Sequence, residues 1–283
     1  MSFGNKATFN TGAQIPYGNQ VEVAEGLHKA LKEIPDLKRE DIFITSKLWN
    51  THHHPKDVEI ALDDTLRELK LTYLDLYLIH WPVAFKKANE TELFPKVAEG
   101  VNEVAIDDSV SLVETWEGVS NFTPEHLQTI IKATDVVPAV NQVERHPLLQ
   151  QNGTLISYAK ENGIHITAYS AFGNNSNNEP LLIENITIRE IAAKMAATPA
   201  QVILAWSQVG GHSVIPKSVT PSRIRSNFEE IKLSEEDIAA INKLGEKPRR
   251  FNVAADYDLK WDINIWDEAV EQGANHKVIC IRK

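Results

Sequence analysis

Cysteine is almost absent from this chain, which has a single one, Cys280, near its C-terminus. One thiol can form neither a disulfide within the chain nor a cysteine-based metal cluster. Aromatic residues make up only 7% of the sequence, while hydrophobic residues make up 42%, as in an ordinary globular protein. The scarcity of cysteine excludes a disulfide-stapled secreted scaffold and predicts a reducing, cytoplasmic location.

Positive charge is also scarce, because 29 lysines and arginines face 39 aspartates and glutamates, giving a formal net charge of −10. Nucleic acids and anionic membranes select basic surfaces, so neither is expected as a partner. No apolar run approaches the length of a membrane span, and the N-terminal residues hold no signal core. A local basic pocket can still bind a phosphate, so the net charge does not exclude a nucleotide.

A third absence is the Gly-x-Gly-x-x-Gly fingerprint, which follows none of the predicted strands and weighs against a Rossmann sheet. Apolar runs instead alternate with amphipathic segments, a pattern typical of parallel strands joined by helices in an α/β fold. The predicted strands cover residues 41–49, 74–82, 138–144, 165–170 and 213–218, and the predicted helices cover 20–34, 56–69, 110–117, 124–133, 153–162, 187–196, 199–209, 220–231 and the segment after Ser234. Residues 1–16 are expected to form a small hairpin, and the whole chain, residues 1–283, a single domain.

The predicted strand at 74–82 ends in His80, after which Trp81 and Pro82 close it. Chemistry in α/β folds is located at the C-terminal ends of buried parallel strands. A core histidine bonded to a backbone carbonyl is an equally good interpretation of this residue alone. The other strands end in polar residues too, so a ring of polar groups is predicted at one mouth: Lys47, His80, Asn141, Gln142, Tyr169, Ser170, Lys217 and Ser218.

Tyr17, just before the first predicted helix, adds a phenol to this set. A tyrosine with the ordinary pKa of about 10 is a weak acid, and a nearby Lys47 ammonium lowers that pKa. A neutral His80 imidazole can orient a carbonyl group. A phenol, an ammonium and an imidazole together form a proton-donating set suited to carbonyl reduction. The hydride for such a reduction must come from a cofactor, because no side chain supplies one.

The three consecutive histidines at 52–54 raise the question of a metal site. Consecutive residues do not share a helical face, and no carboxylate lies at ligand spacing. A metal is therefore the less favoured interpretation, and none is expected.

Four motifs together carry a resemblance to a known family. They are Ser46-Lys47-Leu48-Trp49, Leu78-Ile79-His80-Trp81-Pro82, Gly118-Val119-Ser120-Asn121-Phe122 and Ile215-Pro216-Lys217-Ser218-Val219. With them, the sequence resembles the aldo-keto reductases from Phe9 to about Lys283. The resemblance implies a (β/α)8 TIM barrel, an oxidoreductase activity on aldehydes or ketones, and NADP(H) as the cofactor. Residues 250–264 look most like fungal members that reduce glyceraldehyde, sugars or related aldehydes with NADPH.

The resemblance also implies roles for single residues. Tyr17 matches the proton donor, Lys47 its pKa-lowering partner and His80 the residue that orients the carbonyl, while Trp81 and Phe94 would line the substrate pocket. The implied cofactor contacts are Ser120, Asn121 and Gln142 on the nicotinamide carboxamide, Tyr169 stacked on its ring, Ser170 and Phe172 at the pyrophosphate, Lys217, Ser218 and Arg223 at the 2′-phosphate, and Asn227 at the adenine. Ser226 stands where a glutamate is common, which leaves the adenine contact less complete.

Two segments of the family pattern are missing. After Pro16 the family continues with a strand, a helix and a strand ending in the aspartate that pairs with the catalytic lysine, whereas here Tyr17 follows directly. A shorter piece is missing between Glu117 and Gly118, so about three of eight strands are absent and the barrel is predicted to be incomplete. Three explanations of the gaps compete: segments omitted from the sequence, exons skipped in a gene model, and a real splice product or decayed paralogue. A faulty or shortened gene model is favoured.

The predicted function is reduction of aldehydes or ketones to alcohols by a monomer acting on a small-molecule carbonyl substrate. The main alternative is a catalytically impaired NADP(H)-binding protein, since the cofactor residues are present and the aspartate is not. A structural role, or a chain that does not fold, completes the set of hypotheses.

Overall fold

The computed structural model describes residues 7–10 (backbone only), 18–115, 119–173 and 180–282. Predictions that concern Tyr17, residues 11–16 or residues 116–118 therefore lie outside the described residues. The chain divides into two compact units. Unit 1 comprises Met1–Pro138 and Ala254–Lys283, and unit 2 comprises Ala139–Val253.

Helices and strands alternate along most of the chain. In order they are β1 (Ala7–Asn10), α1 (Gln20–Glu33), β2 (Ile42–Leu48), α2 (Pro55–Leu69), β3 (Leu76–Ile79), α3 (Leu112–Thr115), β4 (Val119–Ser120), α4 (Pro124–Thr134), β5 (Val140–Glu144), α5 (Thr154–Glu161), β6 (His165–Tyr169), α6 (Ile186–Lys194), α7 (Pro199–Gln208), β7 (Ser213–Val214), α8 (Pro221–Ser226), α9 (Glu235–Asn242), β8 (Ile263–Asn264) and β9 (His276–Lys277). Among the helices of the described ranges, none has the length and apolarity needed to cross a membrane.

Unit 1 is built on a parallel sheet in the order β1-β2-β3. The register sets Lys47 opposite Leu78 and Leu48 opposite Ile79. The expected N-terminal hairpin is wrong for residues 7–10, because β1 pairs in parallel with β2. This pairing satisfies backbone groups on an edge of β2 that would otherwise lack partners.

An aromatic cluster forms part of the hydrophobic core of unit 1. Its rings pack mostly edge to face, as aromatic quadrupoles favour. The aromatic members are Trp49, Trp81, Phe85, Phe94, Tyr257, Trp261 and Trp266. The cluster therefore joins the ends of β2 and β3, the long loop after β3 and the C-terminal segment.

Unit 2 has a parallel sheet in the order β5-β6-β7, covered by α6 and α7. Its core centres on the fully buried Trp206, whose indole N–H donates to Asn242 Oδ1 at 2.9 Å. The guanidinium of Arg145 lies over the Trp206 ring, 4.4 Å from the centroid. A buried cation is thus stacked on the largest side chain of this core.

The five predicted strands are all present, each shorter than expected, and two of them are much shorter. The strand predicted over 213–218 ends at Val214, because Val214 pairs with Ala168 and the neighbouring strand β6 ends one residue later, at Tyr169. The strand predicted over 74–82 covers only Leu76–Ile79. The helix predicted to reach residue 231 ends at Ser226, whose hydroxyl donates to the Arg223 carbonyl and competes with the helical ladder.

The sheets of the described residues do not close into a barrel. The prediction of a barrel that is incomplete is consistent with this, whereas the number of absent strands stays a prediction.

Candidate active site

Two neighbouring strands position the candidate catalytic residues of unit 1. Lys47 is the penultimate residue of β2, and His80 directly follows β3. The His80 backbone N–H donates to the Leu48 carbonyl at 3.1 Å, which extends the ladder by one residue. Parallel pairing therefore brings both residues to the same end of the sheet, as the sequence predicts.

Lys47 is only 3% exposed, and its Nζ has no hydrogen-bond partner within the described ranges. Burial disfavours the charged amine and lowers the pKa of Lys47 from 10.5 to about 7. The amine consequently changes charge near neutral pH. Tyr17, its predicted partner, lies outside the described residues.

His80 is held as a neutral imidazole. Burial, followed by the nearby Lys47 and His53, lowers the pKa of His80 well below its ordinary value. Its ring lies 5.1 Å from the Trp49 ring, centroid to centroid. The side-chain amide of Asn121 donates to the His80 carbonyl at 2.9 Å, so the backbone is anchored on both sides.

The wall beside His80 is aromatic. The Trp81 ring packs against Trp261 at 5.1 Å and Trp266 at 5.5 Å, while Phe94 lies 5.1 Å from Trp49. The sequence predicts Trp81 and Phe94 as pocket residues, and the structure places both in this cluster. The sequence did not predict the other aromatic members of the cluster as site residues: Trp49, Phe85, Tyr257, Trp261 and Trp266. The signal that could have found them is the concentration of aromatic residues near the predicted pocket residues and in the C-terminal tail.

The long loop between β3 and α3 is fixed to the strand ends. The Trp49 indole N–H donates to the Leu93 carbonyl at 2.8 Å, and the Phe85 N–H donates to the Asn50 carbonyl, also at 2.8 Å. An antiparallel bridge joins Phe85 to Ile106 across the loop. These contacts hold Phe94 beside the aromatic cluster.

In the described part of the chain, which includes the histidines at 52–54, no three or more potential metal ligands lie together. His54 Nε2 instead pairs with Asp107 Oδ2 at 3.0 Å. His53 is buried, and desolvation first, with the neighbouring His52 and His54, lowers its pKa to about 3. A neutral His53 therefore lies within electrostatic reach of His80.

The predicted nicotinamide contacts are divided between the units. Ser120 and Asn121 belong to unit 1, and both are buried. Asn121 has a φ of +68°, a left-handed conformation that asparagine tolerates. Gln142 lies buried on β5 of unit 2, and Tyr169 ends β6 half-buried.

The remaining predicted cofactor contacts lie in unit 2. Ser170 and Phe172 occupy a tight turn after β6, closed by the Gly173 N–H donating to the Ser170 carbonyl at 2.8 Å. Lys217 and Arg223 are exposed, and neither forms an ion pair with another described residue. Ser218 and Asn227 are half-buried, with Ser218 Oγ accepting the Thr220 N–H at 3.2 Å. Exposed cations without an ion-pair partner in the described ranges suit a phosphate monoester.

The sequence missed Glu144, the last residue of β5, which is fully buried and hydrogen-bonded. The signal that could have found it is a charged residue at the end of a predicted apolar strand.

Comparisons with known proteins concern the chain as a whole and show its family. Residues 8–246 match the model of the aldo/keto reductase family. The D/L-glyceraldehyde reductase of Hypocrea jecorina is 56% identical over 282 residues, covering 93% of this chain and 84% of the relative, and the NAD(P)H-dependent D-xylose reductase of Candida tenuis is 43% identical, covering 86% and 82%. Among solved structures, the aldose reductase of Giardia lamblia matches with a TM-score of 0.79 and 35% identity, covering 86% of this chain and 85% of that one. These family and structural neighbours imply a (β/α)8 barrel, and the resemblance found in the sequence is confirmed: the chain belongs to the aldo/keto reductase family.

Proposed function

We propose that this protein reduces a small aldehyde or ketone to the alcohol by hydride transfer from NADPH. The observation that carries the proposal is geometric: His80 and the buried Lys47 lie at the same end of two paired parallel strands. A neutral imidazole can donate a hydrogen bond to a carbonyl without competing as an acid. Relatives named for reduction of glyceraldehyde and D-xylose make polyhydroxy aldehydes the first substrates to test.

In this proposal Tyr17 donates the proton to the carbonyl oxygen, and the Lys47 ammonium lowers the pKa of the Tyr17 phenol. His80 orients the carbonyl, while Trp81 and Phe94 line the apolar side of the substrate pocket. The packing of both rings in the aromatic cluster supports a rigid pocket wall. When bound, NADPH supplies the hydride.

The cofactor assignment to NADP(H) is confirmed at the level of the family, whose relatives here include reductases named as NADPH-dependent. We propose that the 2′-phosphate is held by Lys217, Ser218 and Arg223. The exposed, unpaired state of both cations in the described structure supports this role. Asn227 would contact the adenine, Ser170 and Phe172 the pyrophosphate, Tyr169 the ring face, and Ser120, Asn121 and Gln142 the carboxamide.

The test is NADPH oxidation by the purified chain with glyceraldehyde and with D-xylose as substrates. Wild type is expected to turn over, and a Tyr17→Phe variant is expected to bind NADPH without turnover. A folded wild-type chain that binds NADPH but reduces neither aldehyde, nor other simple aldehydes and ketones, would contradict the proposal.

A second candidate is an NADP(H)-binding protein with impaired catalysis. It is favoured by one observation, that Lys47 Nζ has no carboxylate partner among the described residues. In this case NADPH quenches tryptophan fluorescence while no substrate is reduced. The cDNA across Pro16–Tyr17 and Glu117–Gly118 decides whether the segments absent from this sequence, including the aspartate, belong to the natural protein.

A further inference from the structure

Glu144 ends β5 of unit 2 and is 0% exposed, yet it carries three hydrogen bonds. Its Oε1 accepts from His146 Nε2 and from the Phe251 N–H, both at 2.9 Å. Its Oε2 accepts from the Asn252 N–H at 3.0 Å. Although burial opposes ionisation, the pKa of Glu144 stays below its ordinary value because His146 and the two backbone N–H groups stabilise the carboxylate.

The two residues held by this carboxylate reach the turn after β6. The Asn252 side-chain amide donates to Ser170 Oγ at 3.4 Å. The Phe251 ring lies against Gly173, so closely that a Cβ there would come within 3.0 Å of Phe251 Cε2. The turn itself has left-handed backbone at Ser170, φ +50°, and at Gly173, φ +70°. A costly turn conformation is therefore supported from behind by residues that Glu144 fixes.

We propose that Glu144 is a positioning residue for the pyrophosphate of the cofactor, acting through Phe251 and Asn252 on the turn at residues 170–173. The inference rests on the proposed function, in which Ser170 and Phe172 contact the pyrophosphate. Glu144 itself cannot be that contact, because it is anionic and fully buried. Its role is to hold the turn ready before the cofactor arrives, which reduces the ordering cost of binding.

The isosteric change Glu144→Gln tests the role. Whichever way the amide turns, its NH₂ meets a backbone N–H that the carboxylate now accepts, so one of Phe251 and Asn252 is released. Two probes separate positioning from general damage. NADPH contains the pyrophosphate, whereas adenosine 2′-monophosphate carries the adenine and the 2′-phosphate without it.

NADPH is expected to bind Glu144→Gln about tenfold more weakly than wild type, the size of one lost charge-assisted hydrogen bond. The affinity for adenosine 2′-monophosphate should stay within about twofold, since the residues assigned to the 2′-phosphate do not touch Glu144. The control is Glu190→Gln, an exposed carboxylate on α6 of the same unit, for which neither affinity should change.

Equal weakening of both probes, or no weakening of either, would overturn the positioning role while leaving the proposed function intact. A wild-type chain that binds neither probe would instead overturn the proposed function, and the inference with it. If thermal melting shows that Glu144→Gln does not fold, Asn252→Ala replaces it, because this change removes only the contact to Ser170. The same selective loss for NADPH is then expected, and its absence overturns the inference.

Discussion

At the scale of single residues, Lys47 is an ionisable side chain that the fold buries. An amine with 3% exposure and no described partner is normally unfavourable, and its pKa of about 7 is the result. In the family pattern an aspartate would hold that amine charged. Here the charge state of Lys47 depends on the pH of the solution.

Lys47 should make the stability of the fold depend on pH in a definite direction. Between about pH 7 and 10 the unfolded lysine is protonated and the folded one is not, so the unfolded state binds more protons. The free energy of unfolding of wild type, relative to Lys47→Met, should then rise with pH by about 1.4 kcal/mol per unit. Urea titrations at several pH values measure this difference. A difference that is flat or falls with pH would show that the amine is charged in the fold.

The same residue predicts the pH dependence of activity. As pH rises through about 7, Lys47 loses its charge and no longer lowers the pKa of Tyr17, so kcat/KM should fall, approaching tenfold per unit. No loss is expected on the acid side near pH 6.5, because the pKa of His80 lies well below that value. Initial rates at saturating NADPH check both limbs. A profile that stays level well above neutrality would contradict the assignment.

At the scale of elements, three helices begin with a Thr-Pro pair, at Thr123, Thr198 and Thr220. In the first two the threonine Oγ accepts a backbone N–H of the first turn, from His126 at 3.3 Å and from Gln201 at 3.2 Å. At Thr220 no side-chain cap bond forms. The three helix starts thus share the Thr-Pro pair, but only the first two have a hydrogen bond to the threonine side chain.

Thr198→Ala should destabilise the protein by about 1 kcal/mol, because it leaves a backbone N–H of α7 without its cap. Thr220→Ala, the matched change at an uncapped start, should have an effect of only a few tenths of a kcal/mol. Thermal melting of both variants beside Thr198→Ser, which keeps the hydroxyl, measures the cap. Similar losses for the two alanine variants would show that the cap is not what stabilises α7.

The sequence predicts most elements because their causes are local. The Thr123 N-cap followed by Pro124 predicts α4, and an apolar run predicts β5. Both predictions lie within about two residues of the observed bounds. The contacts of Glu144 with Phe251 and Asn252 span more than a hundred positions, and no local pattern encodes them. The length of β7 depends likewise on a neighbouring strand.

At the scale of the whole molecule, the apolar side of α1 is only partly covered. Ile34, which directly follows α1, is 51% exposed, and Val23 and Leu27 within the helix are only half-buried. Among the described residues, the sheet of unit 1 has three strands. An amphipathic helix gains stability only from the surface it covers, so this face is the one that an added strand-helix-strand segment would benefit.

A cofactor that binds only the folded protein stabilises the whole molecule. The preference between cofactors can therefore be measured as a difference in melting temperature. NADPH should raise the melting temperature more than NADH at equal concentration. Arg223→Ala should remove about 1.5–3 kcal/mol of NADPH binding free energy and leave NADH unchanged. Arg225→Ala, an exposed arginine on the same short helix, is the control and should change the difference little. Equal stabilisation by both cofactors in wild type would rule out the assigned 2′-phosphate contacts.

The aromatic cluster has an optical consequence. The indoles of Trp49, Trp81, Trp261 and Trp266 form a chain with centroid separations of 5.1–6.4 Å and steeply inclined planes. At such distances their electronic transitions couple, which produces strong circular dichroism of paired opposite signs. Trp206 lies in unit 2, under a guanidinium instead of another indole. The loss of these paired circular dichroism bands during unfolding therefore reports on unit 1. The unfolding of the unit that carries Lys47 and His80 can thus be followed separately.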